Sequence, residues 1–95
     1  MSMKDAYVEK LKSQMDEWKA EIDKLKAKAD NAQADAKIEY LEQIDDLREK
    51  QVEATEKLAE LQTAGESAWE DLKAGVESSW DSFEDAMKKA MSRFR

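Results

Sequence analysis

From Val8 to Ala36 an apolar or small residue returns at alternating steps of three and four: Val8, Leu11, Met15, Trp18, Ile22, Leu25, Ala29, Ala32 and Ala36. Such steps keep these side chains in one row on one face of an α-helix. High charge and few aromatics could also signal disorder, and it is this periodicity that separates a helix from it. Lys, Glu, Asp and Gln fill most of the intervening positions. The row therefore commits this part of the chain to a helix with one dry face and a broad wet one. No proline is present to interrupt it.

The row continues through Tyr40, Ile44, Leu47, Gln51, Ala54, Leu58 and Leu61. The two successive steps of four at Ala36, Tyr40 and Ile44 are a stutter, which unwinds a left-handed supercoil without ending the helix. Strong helix formers dominate up to Gln62, and Asp46–Lys50 and Glu53–Lys57 add i,i+4 support. The pattern predicts one long coiled-coil helix over 3–63, with Ser2 and Asp5 as its N-terminal capping pair. The alanines at 29, 32 and 36 read as a zone of close helix packing. The competing reading is a three-helix bundle with a turn near residues 30–35. A break is expected at 64–66, where Gly65 suits a positive φ just past a helix end. Ser67 and Glu70 then form a capping box for a second helix over 67–94.

That second helix changes period. Trp69, Leu72, Val76, Trp80, Phe83, Met87, Met91 and Phe94 form an amphipathic stripe, and Ala68-Trp69-Glu70-Asp71-Leu72 returns eleven residues later as Ser79-Trp80-Asp81-Ser82-Phe83. An eleven-residue repeat favours nearly straight or slightly right-handed packing. Acidic residues crowd its first part. Lys88, Lys89, Arg93 and Arg95 follow without an acid, where they offset the helix macrodipole.

Composition removes most chemistry. With no cysteine and no histidine among 95 residues, the chain has no thiolate nucleophile, no disulfide and no imidazole base or ligand. Pairs such as Asp16-Glu17, Asp45-Asp46 and Glu84-Asp85 are neighbours on a wet helix face, not carboxylates held across a cleft. No metal or cofactor is expected, and no enzymatic activity. A net charge of −7 disfavours nucleic acid as a partner. No apolar run is long enough to cross a bilayer, and the start Met1-Ser2-Met3-Lys4-Asp5 does not read as a signal peptide, so a cytoplasmic location is expected.

Length shapes the expected assembly. A helix over 3–63 would span about 90 Å and one over 67–94 about 40 Å. Folded back as a helical hairpin, the second helix covers only the C-terminal half of the first. The row Val8, Leu11, Met15, Trp18, Ile22 and Leu25 is then left exposed, which marks an association site. Fourteen alanines inflate the apolar fraction, so a monomeric core is expected to be thin. These points predict a single coiled-coil domain that self-associates as a homo-oligomer, most simply an antiparallel or staggered dimer. Its packing would involve Ile44, Leu47, Leu58 and Leu61 as well as the first row.

Met3-Lys4-Asp5-Ala6-Tyr7-Val8-Glu9-Lys10-Leu11, Glu17-Trp18-Lys19-Ala20-Glu21-Ile22-Asp23-Lys24-Leu25, Asp35-Ala36-Lys37-Ile38-Glu39-Tyr40, Ala68-Trp69-Glu70-Asp71-Leu72-Lys73-Ala74-Gly75-Val76-Glu77 and Ser92-Arg93-Phe94 carry a resemblance. Together they resemble a family of small bacterial coiled-coil stress-response proteins over nearly the whole chain. The resemblance implies a non-enzymatic coiled-coil protein associated with stress, with no catalytic or ligand residues to carry over. The eleven-residue period is also similar to that of exchangeable apolipoproteins and desiccation-protective proteins. The alternative function is therefore a lipid-surface module that lays the Trp69–Phe94 stripe on a membrane.

Overall fold

A computed structural model describes residues 2–94. It is all-helical, with α1 at Met3–Asp30, α2 at Ala34–Thr63 and α3 at Trp69–Arg93. The described residues form a rod of 52 × 20 × 19 Å. The long helix expected over 3–63 is thus two helices, and the turn falls at Asn31-Ala32-Gln33, inside the stretch expected to pack tightly.

The turn is built without glycine or proline. Asn31 closes α1 in the αR region, and its side-chain Nδ2 donates to the Ala27 carbonyl at 3.1 Å. The Asn31 and Ala32 amides donate to the Lys28 and Ala29 carbonyls, tightening the last turn with i→i+3 bonds. Gln33 is extended, and its carbonyl accepts from the Lys37 amide at 2.8 Å to start α2. Breaking the helix here sacrifices little packing, because Ala36 is exposed and Ala32 only half-buried. Folding at this point gives the large side chains of the first row a partner helix within the same molecule. Val8, Leu11, Ile22, Leu25 and Ala29 are buried, and Met15 and Trp18 pack half-buried against them. Ile44, Leu47, Ala54, Leu58 and Leu61 face them from α2.

Ser2 caps α1 as expected, its hydroxyl accepting from the Asp5 amide at 3.1 Å. The second expected cap is not formed. Ala68 occupies the N-cap of α3 with no side-chain bond, so Ser67 and Glu70 make no capping box. Gly65 is not in the left-handed region either, since no described residue has positive φ. Its carbonyl accepts from the Ala68 and Trp69 amides instead. A Cβ at Gly65 would meet nothing within 4 Å. Gly65→Ala is therefore expected to hold or raise stability by about 0.5 kcal/mol, through a less flexible unfolded chain, in urea unfolding. The C-terminus of α2 lacks a basic residue of its own. Lys4 of α1 supplies one, donating to the Gln62 and Ala64 carbonyls at 3.2 and 2.7 Å.

The three helices alternate in direction, so α1 and α3 run parallel. Close backbone approach occurs in the α1–α2 and α2–α3 pairs, while α1 and α3 meet mainly through long side chains. The tryptophans supply that reach. Trp18 lies 5.6 Å from Trp80 and 4.8 Å from Phe83 between ring centroids, and Tyr7 lies 6.1 Å from Trp69. At the other end Tyr40 stacks on Phe94 at 4.1 Å. Trp80 Nε1 donates to Gln14 Oε1 at 2.7 Å, satisfying the one polar group this ring carries into the seam.

Candidate interaction face

The residues expected to form an oligomer seam and those expected to form an amphipathic stripe come together in one intramolecular core. Trp69, Val76, Trp80, Phe83, Met87 and Phe94 are buried against α1 and α2. Leu72 and Met91 are exceptions and are exposed, Leu72 near the start of α3 and Met91 near its end. The first row is therefore covered by this chain's own helices, contrary to the expectation that it stays open for a partner.

The polar groups around the core are occupied with structure. Tyr7 Oη donates to Glu77 Oε1 at 3.3 Å, and Lys73 Nζ sits 5.1 Å from the Tyr7 ring centroid. Burial, then the Glu77 charge and its hydrogen bond, push the Tyr7 hydroxyl up to about 12. Unfolded tyrosine ionises near 10. The folded state therefore keeps its proton while the unfolded state loses it, and this stabilisation is present below pH 10 and lost between pH 10 and 12. Stability of the wild type is expected to fall across that window more steeply than that of Tyr7→Phe in urea titrations.

On α3, Lys88 pairs with Glu84 at 3.0 Å, and the hydrogen bond that its ammonium donates to that carboxylate raises the Lys88 ammonium above its ordinary value. Arg93 reaches Glu39 of α2 at 3.6 Å. Arg95 lies outside the described residues. Asp46–Lys50 forms at 3.8 Å, whereas Lys57 pairs with Glu60 rather than Glu53. Among the described residues no cluster of three or more acidic side chains is placed to hold a metal ion. None of their helices is long and apolar enough to cross a membrane.

Met3 of α1 and Leu72 and Met91 of α3 are exposed apolar residues standing singly, whereas α2 carries three that fall in one row. Ile38, Leu41 and Val52 are 56, 42 and 57% exposed. With Asp45 and Arg48 they form a second row at steps of three and four, on the side of α2 turned away from the core row. Glu42, Asp45, Asp46, Arg48, Glu49 and Val52 line a shallow open groove along it. Arg48 bends from this row toward Asp23 of α1 at 3.8 Å, a loose pair between two exposed side chains. Sequence reasoning missed the row because the core row runs beside it with larger residues. Its signal was the offset spacing of Ile38, Leu41 and Val52. No family model, curated protein or solved structure matches the chain.

Proposed function

We propose that the protein is a non-catalytic, self-associating helical protein that works through the outer face of α2. The observation that carries this reading is the exposed apolar row Ile38, Leu41 and Val52, ordered at heptad spacing on a helix whose other face already closes the core. A row of this kind is the seam by which helices pair. The resemblance to small bacterial coiled-coil stress-response proteins supports a cytoplasmic setting under stress, in which self-association builds or protects an assembly. No nucleic acid is proposed as a partner, given the net charge of −7.

A dilution series by sedimentation tests the reading. Mass is expected to rise with concentration in the wild type and to stay at 10.9 kDa for Leu41→Asp with helicity retained. Wild-type protein that stays monomeric throughout would sink it. Vesicles form the second arm. The lipid reading requires the bundle to open, so tryptophan emission that shifts only with vesicles would favour it instead.

A further inference from the structure

Resting on the α2-face reading, we infer that the occupant of this face is a second copy of the same α2, antiparallel, related by a two-fold axis passing between Asp46 and Leu47. The row is self-complementary about that point. Asp45 and Arg48 stand equally far from it on opposite sides, as do Leu41 and Val52, and Ile38 and Thr55. An isologous contact pairs each residue with its counterpart in the other copy and then repeats the pair. Asp45 of each copy therefore faces the other copy's Arg48, giving two opposite-charge pairs at the centre. Leu41 packs on Val52 on either side of them, and Ile38 on Thr55 beyond.

The heptad geometry agrees with this orientation. Antiparallel helices set the first apolar position of one heptad against the second of the other, and these pairs do so throughout. A parallel pairing would set Asp45 against Asp45 and Arg48 against Arg48, two like-charge contacts. Arg48 is able to turn to a new partner, because its link to Asp23 is 3.8 Å long and both side chains are exposed, at 43% and 64%. The two-fold also brings Glu42, Glu49 and Glu56 of both copies along one edge. That repulsion keeps the contact weak at low salt, so the test belongs at an ionic strength of about 0.15 M, where it is screened.

Charge exchange decides the register. Wild type, Arg48→Asp, Asp45→Arg and the double exchange D45R/R48D are compared by sedimentation equilibrium, with circular dichroism as a check that helicity is unchanged. Each single exchange replaces both central pairs by like charges and is expected to weaken association roughly tenfold. The double exchange restores opposite pairs and is expected to recover wild-type affinity. If the singles have no effect, or the double exchange stays as weak as the singles, the two-fold register is overturned. Association that Leu41→Asp still abolishes would leave the α2-face reading standing in that case. A wild type that remains monomeric overturns both.

Discussion

Phe83→Ala is expected to cost about 4 kcal/mol and to be among the most destabilising truncations in the chain. Phe83 is fully buried, and its ring lies 4.8 Å from Trp18 across the α1–α3 seam. Large-to-small core changes remove transfer energy and leave a cavity whose cost depends on how far the surroundings collapse. Collapse is hindered here. The α1 and α3 backbones are held apart by Trp18, Trp80, Tyr7 and Trp69, and they cannot close on the gap without displacing those rings. A domain of this size holds roughly 5–15 kcal/mol in total, so the variant loses between about a quarter and four-fifths of its stability. Its thermal midpoint is expected to fall by about 15–30 °C, at about 4–8 °C per kcal/mol. Far-UV dichroism against temperature reads this directly. Leu72→Ala, in the same stripe but exposed, is the control and is expected to cost under about 1 kcal/mol. Equal losses in the two variants would contradict the burial that separates them.

Leu72 and Phe83 also mark what periodicity discloses. A row at helical spacing names the dry face of a helix, and most of both rows is dry: Val8, Leu11, Ile22, Leu25, Ile44, Leu47, Leu58 and Leu61 on α1 and α2, and Val76, Trp80, Phe83 and Met87 on α3. Periodicity does not say whether the covering partner belongs to the same molecule. That depends on where the chain turns, and the turn at Asn31-Ala32-Gln33 leaves almost no trace in composition. Its residues lie between alanines that continue the heptad phase. Asn31 is in the αR region, Gln33 is extended and no residue of the turn has positive φ, so no glycine is needed. The one local signal is Asn31, whose short amide reaches the Ala27 carbonyl. The alanines bear on the choice in a second way. They bring little apolar area to a continuous helix, so the large residues on either side gain more by folding onto each other.

The second break shows the converse. Gly65 lies inside it, but the break runs over 64–68 rather than the expected 64–66, and the chemistry inferred from the glycine does not operate there. The outer row of α2 was legible in principle, since Ile38, Leu41 and Val52 keep heptad spacing. It becomes visible as a separate face only once the other side of α2 is seen to be filled.

Leu25→Asp separates the two meanings of the first row most sharply. Were that row a seam between subunits, the substitution would split the assembly and leave each helix intact, with a lower mass and unchanged dichroism. In the folded bundle Leu25 is only 5% exposed, on the α1 row covered within the molecule. A carboxylate there loses its water and meets no cation on that row, whose other buried members are Val8, Leu11, Ile22 and Ala29. Burying an unpaired charge, together with the lost leucine packing, exceeds about 4 kcal/mol, a large part of what a domain of this size holds. Helicity is therefore expected to be largely lost at pH 7, in the monomer and at every protein concentration. Acidification supplies an internal check. Burial raises the folded-state pKa of the introduced carboxyl above its unfolded value near 4. The penalty is therefore greatest above the folded pKa and shrinks as pH falls through it toward the unfolded one. Leu25→Asp is expected to regain helicity as pH falls from 7 toward 5, while Leu25→Asn, with the same shape and no charge to titrate, does not respond. A Leu25→Asp protein that stays fully helical at pH 7 would place the first row outside the core.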